Sequence, residues 1–275
     1  MTHAALPKQT GSSILSWTRA GLVGTLVLAT AVVVAACGGG TTPSSSAAPS
    51  PAASHAIAGA LQNDFVGVVN SVSPSVVVIE TKAGLGSGVV FNANGDILTN
   101  NHVVDGSKTF TVTVADGRKL DGTLVGTYPA GDLAVIHVSA TDLQPATFGD
   151  SSKLVVGDIV LAVGNPLGLQ TSVTEGIVSA IGRDVPESSA VTLSGVIQTS
   201  ADINPGTSGG ALVDLTGQGV GIPTRAALDP EFNDTPASGI GFAIPSNAAV
   251  DVAGQLIANG RVTTPPSSSA APSAS

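Results

Sequence analysis

Short apolar runs separated by turn residues recur along most of this chain and restrict the folds open to it. The runs are rich in Val and Ile, and no long segment between them has helical periodicity. The dipeptides at 94–95 (Asn-Gly) and 116–117 (Asp-Gly) are typical of β-hairpin turns. The pattern predicts an all-β barrel or sandwich, with strands at 76–79, 88–91, 96–99, 109–114, 120–126, 133–138, 159–163, 173–181, 191–199, 211–213 and 219–222.

Two helices are predicted beside these strands. Residues 64–70 carry several apolar side chains and indicate a short helix. Ser246 begins a segment at 246–259 that has an apolar stripe and is followed by Gly260, as at the end of many helices. We expect this second helix to pack on the strands without a chemical role.

The first 37 residues have the features of an export signal. Lys8 and Arg19 precede an apolar run at 20–36, which ends directly before Cys37, the single cysteine of the chain. The tetrapeptide Val-Ala-Ala-Cys at 34–37 resembles the lipobox of bacterial lipoproteins, which implies cleavage before Cys37 and a lipid on its thiol. A simple transmembrane anchor and a free thiol are the alternatives. We expect the chain on the extracytoplasmic face of the cell membrane.

Segments rich in Gly, Ser, Pro and Ala flank the part that we expect to fold. Residues 38–60 are predicted to be a disordered tether and 263–275 a disordered tail, since such compositions bury too little apolar surface. The folded domain is therefore predicted at 61–262. The formal net charge of −9 argues against nucleic acid as a partner, and membrane contact is expected through the lipid anchor only.

A serine in a glycine-rich turn is the first candidate for chemistry. Ser208 lies two residues after Gly206 and directly before Gly209 and Gly210. A nucleophilic serine needs an exposed hydroxyl and nearby amide donors for the oxyanion, and glycines let a backbone approach a ligand closely. Taken alone, the motif fits an ordinary turn equally well.

The other groups of a catalytic triad are also present in the chain. His102 follows an apolar strand and is expected at a cleft, whereas His137 lies within a strand and is expected on the surface. Asp132 opens the apolar strand that contains His137, either as a partly buried acid or as a turn cap. The order His102, Asp132, Ser208 is one of the three unrelated orders in which such triads occur.

Six successive motifs resemble those of the HtrA (Deg) family of trypsin-like serine proteases, over about 72–260. The resemblance implies two Greek-key six-stranded β-barrels, at about 72–150 and 151–245, with the active cleft between them and the short helix after them. The motifs are Thr-Asn-Asn-His-Val-Val at 99–104, Asp-Leu-Ala-Val at 132–135, Gly-Asn-Pro-Leu-Gly at 164–168, Thr-Glu-Gly-Ile-Val-Ser at 174–179, Ile-Asn-Pro-Gly-Thr-Ser-Gly-Gly-Ala-Leu at 203–212 and Gly-Ile-Gly-Phe-Ala-Ile-Pro-Ser at 239–246.

The resemblance also implies a chemistry. Ser208 would be the nucleophile, His102 its base and Asp132 the partner of the imidazole, with the amides of Gly206 and Ser208 as the oxyanion hole. The implied activity is that of a serine endopeptidase that hydrolyses unfolded or exported proteins outside the cytoplasm. The alternative is a weak or inactive protease fold that serves as a peptide-binding or chaperone-like lipoprotein. Family members often form trimers, so a homotrimer is a further expectation.

No cofactor or metal is expected. The sequence has no His/Cys cluster with metal-ligand spacing, and the glycine-rich segment at 84–88 lacks the lysine and helix of a phosphate loop.

The chain departs from the family pattern in places. Thr207 stands where the family usually has Asn directly before the nucleophile, which raises the question of order in the oxyanion turn. Asp202 stands where trypsin-like enzymes place the base of the S1 pocket and would favour Lys or Arg at P1. The alternative, which we favour, is a surface Asp202 beside a small apolar pocket lined by Ile203, with Ile240 assigned to the same pocket. Most family members continue into PDZ domains, and none is expected here.

Overall fold

The computed structural model describes residues 51–82, 84–104, 106–165, 172–186, 191–204, 206–229 and 235–266. Cys37, the apolar run at 20–36 and most of the predicted tether and tail lie outside them. The chain divides into the units Met1–Ala48 and Pro49–Ser275, and all described residues belong to the second. Within the described part, no helix is both long enough and apolar enough to cross a bilayer.

Twelve strands of the described residues form two closed barrels of six antiparallel strands each. The strand orders are β1-β2-β3-β6-β5-β4 and β10-β11-β12-β9-β8-β7, so both barrels have the same Greek-key topology. The prediction of an all-β fold with two six-stranded barrels is confirmed. The strands are β1 (Val76–Glu80), β2 (Leu85–Val90), β3 (Asp96–Thr99), β4 (Thr109–Thr113), β5 (Lys119–Tyr128), β6 (Leu133–Val138), β7 (Ile159–Gly164), β8 (Ser172–Pro186), β9 (Thr192–Thr199), β10 (Ala211–Asp214), β11 (Gly219–Asp229) and β12 (Thr235–Pro245).

One strand was not predicted from the sequence, and several are longer than predicted, most of all β8 and β11. The sequence predicted no strand at β12, because glycines and prolines break its apolar pattern. β8 and β11 extend beyond their predicted ends and contain register shifts against their neighbours. Pairing with β9 and β11 fixes β12 as a strand, since cross-strand contacts outweigh local preference.

Three α-helices accompany the barrels within the described residues. α1 spans Pro51–Val72, α2 is a single turn at Asn101–Val104, and α3 spans Ser246–Asn259, the range predicted for it. α1 begins well before the predicted short helix at 64–70, so the prediction of a disordered tether is wrong for residues 51–60. Alanine is frequent there, which favours a helix, and Pro51 is compatible with the first turn.

Alternate residues of β6 face two different cores, and this arrangement brings the barrels together. Ala134 and Ile136 belong to the buried cluster inside the first barrel. Leu133 and Val135 instead belong to a larger cluster that includes residues of α1, α3 and the second barrel. The two barrels therefore share a continuous apolar interface. At the edge of this interface, loops of the two barrels lie where residues of both can contribute to one site.

Candidate active site

His102 and Asp132 come from neighbouring elements of the first barrel and are hydrogen-bonded to each other. His102 lies in α2, directly after β3, and Asp132 lies just before β6. The imidazole Nδ1 is 2.8 Å from Asp132 Oδ2, and the His102 backbone N–H donates to Oδ1 at 3.0 Å. The Asp132 side chain is 3% exposed and that of His102 is 41% exposed. The carboxylate is thus buried, while the imidazole is open to solvent.

Asp132 is held in an unusual backbone conformation. Its φ is 49°, which lies in the left-handed region and is the one positive value among the described non-glycine residues. Its backbone N–H donates to Pro129 O, and its carbonyl accepts from Asn101 N–H and the Asn100 side chain. These contacts fix a conformation that Asp tolerates better than most residues. Asp132 therefore both ends a 3-10 turn and presents its carboxylate to His102.

Thr224 of β11 connects this pair to Ser208. Its hydroxyl donates to Asp132 Oδ2 at 2.5 Å, a contact between residues 92 positions apart. Its carbonyl accepts the hydroxyl of Ser208 at 2.6 Å. Sequence reasoning missed Thr224, because a threonine in an apolar strand has no local signal for such a role. Its position in the structure makes it a link between the two barrels at this site.

The hydroxyl of Ser208 is hydrogen-bonded to the carbonyl of Thr224 in this structure. A hydroxyl has a single proton to donate, and here that proton goes to the Thr224 carbonyl. Transfer of the proton to His102 would therefore require rotation of the serine side chain. The structure brings His102 and Asp132 into direct contact and joins Ser208 to them through Thr224.

The turn around Ser208 leaves two amide groups available. Gly206 has φ +97°, which favours glycine. Within the described residues, no acceptor is found for the N–H of Gly206 or of Ser208. Thr207 is 1% exposed. Its hydroxyl donates to Asn204 O at 2.7 Å and accepts from Asn204 N–H at 3.0 Å, so its side chain ties the turn together.

The residues assigned to the S1 pocket differ in their exposure. Asp202 is exposed and accepts a long hydrogen bond of 3.4 Å from Gly239 N–H. Ile203 is 6% exposed and packs in the core cluster of the second barrel. Its side chain occupies the space beside Gly241, where an added Cβ would lie 2.4 Å from it. Ile240 is 37% exposed.

The second histidine of the folded part forms a pair of its own. His137 Nδ1 is 2.9 Å from Asp96 Oδ1 on the neighbouring strand, and the His137 side chain is 40% exposed. The pair takes no part in the contacts of Asp132 or Ser208. Across the described ranges, no group of three or more His, Cys, Asp and Glu residues is placed to hold a metal ion.

Two barrels of identical topology, with a His-Asp pair from one and a serine turn from the other, define the trypsin-like class of proteins. The family model of the trypsin-like peptidase domain matches residues 86–222. A solved structure of the serine endoprotease from Yersinia pestis superimposes with a TM-score of 0.61 at 38% identity, over 72% of this chain and 68% of that one. The HtrA-type protease AlgW with a decapeptide gives a TM-score of 0.63 at 35% identity, over 71% and 68%. The chain belongs to the HtrA-type family of trypsin-like serine proteases, as the sequence motifs predicted.

Curated relatives agree in family and are longer. A probable periplasmic serine protease of Haemophilus influenzae, described as do/HhoA-like, is 46% identical over 181 residues, which are 65% of this chain and 38% of that protein. Serine protease PepD of Mycobacterium tuberculosis is 42% identical over 238 residues, which are 78% and 50%. The chain thus spans half or less of the length of these two relatives.

The hydroxyl of Thr224 can be tested separately from its carbonyl. Thr224→Val keeps the shape of the side chain and the backbone carbonyl but removes the donor to Asp132. A hydrogen bond to a charged group contributes about 1.5–3 kcal/mol, so kcat/KM for a peptide substrate should fall by about 10- to 100-fold. Thr224→Ser retains the hydroxyl and should remain close to the wild type. Equal kcat/KM for Thr224→Val and the wild type would rule out a contribution of the Thr224 hydroxyl to catalysis through Asp132.

Proposed function

We propose that this chain is a serine endopeptidase that cleaves peptide bonds with Ser208 as nucleophile. The observation that carries the proposal is the bridge at Thr224, which contacts the carboxylate of Asp132 with its side chain and the hydroxyl of Ser208 with its carbonyl. Asp132, Ser208 and Thr224, which are not neighbours along the chain, thereby belong to one hydrogen-bond network with His102. The names of the relatives, which are serine proteases and endoproteases, support the same activity.

The proposed reaction uses these groups in sequence. The Ser208 hydroxyl rotates from Thr224 toward His102, gives its proton to the imidazole and attacks the carbonyl carbon of the scissile bond. Asp132 holds the imidazole by Nδ1 and stabilises the imidazolium that forms. The N–H groups of Gly206 and Ser208 stabilise the oxyanion. His102 then protonates the leaving amine, and a water molecule hydrolyses the acyl-enzyme by the same steps.

Unfolded or exported polypeptides are the proposed substrates. Two solved structures of one relative, the HtrA-type protease AlgW, hold a tripeptide and a decapeptide, which supports a peptide as a ligand of this chain. A homotrimer, expected from the family resemblance, stays a prediction that the mass of the purified chain in solution can test.

The second candidate is a peptide-binding protein with a weak or inactive site. The observation that favours it is the hydrogen bond of the Ser208 hydroxyl to a carbonyl, which does not activate a nucleophile. A fluorophosphonate probe separates the candidates, because only an activated serine reacts with it readily.

Ser208→Ala tests the proposed function. The wild type should degrade casein and take up a fluorophosphonate label, and Ser208→Ala should do neither, because the nucleophile is absent. Any residual cleavage should be slower than that of the wild type by about 10⁶-fold, which is the loss typical when the nucleophile of such a triad is removed. Ser139→Ala, in the first barrel after β6, is a matched control that should retain activity. Equal activity of the wild type and Ser208→Ala would disprove the proposal.

The P1 residue is proposed to be small and apolar. Ile203 is buried beside Gly241, whereas the carboxylate of Asp202 belongs to an exposed residue. An apolar pocket leaves the charge of a P1 arginine without a partner, so peptides with P1 Val should be cleaved about tenfold faster or more than those with P1 Arg. Asp202→Asn should leave this ratio unchanged. Faster cleavage at P1 Arg, lost in Asp202→Asn, would instead assign the pocket to Asp202.

An extracytoplasmic location through a lipid on Cys37 is also proposed. The lipobox-like tetrapeptide at 34–37 supports it, as do the names of relatives described as periplasmic. In a bacterial host, the wild type should incorporate labelled fatty acid and sediment with membranes, and Cys37→Ala should lose the label. An unlabelled wild type that remains in the membrane fraction would indicate a transmembrane anchor instead.

A further inference from the structure

We propose that Ser87 is a positioning residue for the oxyanion hole. Its hydroxyl holds the carbonyl of Gly206 and so fixes the turn that carries the proposed oxyanion donors. Ser87 lies in β2 of the first barrel, is 0% exposed, and takes no part in the reaction steps given above. The inference rests on the proposed function, because it assigns Ser87 a task in that same reaction.

The hydrogen bonds of the Ser87 hydroxyl have only one possible direction. Gly206 O lies 2.5 Å from the hydroxyl oxygen, and Asn165 N–H points at it from 2.8 Å. A carbonyl can only accept and an amide N–H can only donate. The hydroxyl therefore accepts from Asn165 and gives its proton to Gly206, across 119 positions of the chain. Both backbone partners belong to the second barrel.

Ser87 holds the nucleophile turn at two places. Its hydroxyl binds Gly206 O, and its backbone N–H binds Ser208 O at 2.9 Å. The peptide between Gly206 and Thr207 is fixed at both ends, because its N–H donates to Asn204 O at 3.0 Å. Ser87 thus holds the carbonyls of both residues whose N–H groups are the proposed oxyanion donors, one on each side of Thr207.

The turn needs an external constraint because of its composition. Gly206 has φ +97° and Gly209 has φ +80°, and glycine has more conformational freedom than any other residue. The turn also lies very close to β2, since a Cβ on Gly209 would lie 2.3 Å from Ser87 O. A Cβ on Gly164 would lie 3.1 Å from the Ser87 hydroxyl. The glycines permit the approach, and the hydroxyl of Ser87 selects one orientation of the Gly206 carbonyl.

Ser87→Ala tests this role with two kinetic readouts. Removal of an oxyanion donor typically lowers the rate by about 10²- to 10³-fold, so a donor that is present but poorly oriented should lower kcat by about 10- to 100-fold. KM should change by less than about twofold, because the lost interaction belongs to the transition state. The inhibition constant of a peptide aldehyde, whose hemiacetal oxygen would occupy the hole, should weaken by about the same factor as kcat. The pH profile should keep its acid limb, because Ser87 does not contact His102 or Asp132.

Ser246→Ala is the matched control. Ser246 is also 0% exposed, and its hydroxyl also donates to a glycine carbonyl, that of Gly149 at 2.7 Å. Both substitutions therefore remove the same kind of buried hydrogen bond and should lower the unfolding temperature. Only Ser87→Ala should lower kcat. A purely structural role for Ser87 predicts that the two variants behave alike.

The outcomes separate this inference from the proposed function. A folded Ser87→Ala with kcat and aldehyde affinity within about twofold of the wild type would overturn the inference and leave the proposed function intact. An inactive wild type would overturn both. Ser87→Cys preserves more of the packing but has a weak donor, so it should reproduce the loss of kcat if Ser87→Ala fails to fold. Full activity of Ser87→Cys would equally overturn the inference.

Discussion

A buried carboxylate at the junction of the two barrels is the constraint on which the site depends. A negative charge removed from water has a large desolvation cost unless donors surround it. Asp132 meets this requirement with two groups of His102 and the hydroxyl of Thr224. Because Thr224 belongs to the second barrel, the charge is fully satisfied only when the barrels are docked. Assembly of the fold and assembly of the site are therefore the same event.

The docking also depends on hydrogen bonds to backbone groups, and this explains why glycines and small polar residues cluster at the junction. Ser87 crosses from the first barrel to Gly206 and Ser208, while Gly209 N–H donates to Pro223 O within the second. A backbone group cannot move independently of the chain, whereas a long side chain can change its rotamer. These hydrogen bonds therefore tolerate little displacement of one barrel relative to the other. The apolar interface supplies general attraction, and the hydrogen bonds select one relative position. The side chain of Thr207 closes the turn through its two hydrogen bonds to the backbone of Asn204. The turn is therefore ordered although threonine stands where the family usually has asparagine.

The sequence predicted much of the fold, for reasons that can be traced to particular segments. Eleven strands have apolar, β-branched runs, and period-two alternation explains why Ala134 and Val135 face different cores. β12 was missed because its pairing partners, and not its own residues, make it a strand. The start of α1 at Pro51 was missed because a composition rich in Ala and Ser is compatible with both a helix and a tether. His102 was expected at the end of a strand and lies in a single helical turn directly after it.

By itself, the sequence determined the residue types of the site, their order along the chain and the alternating pattern that closes into barrels. These are local properties, because a serine between glycines or a histidine after a strand can be recognised from its neighbours. The tertiary structure alone decided that Thr224 and Ser87 belong with them, through bonds that join residues 92 and 119 positions apart. A hydroxyl in a strand has the same local signature whether it meets solvent, a carboxylate or a carbonyl. Its role is therefore set by the partner that folding places opposite it.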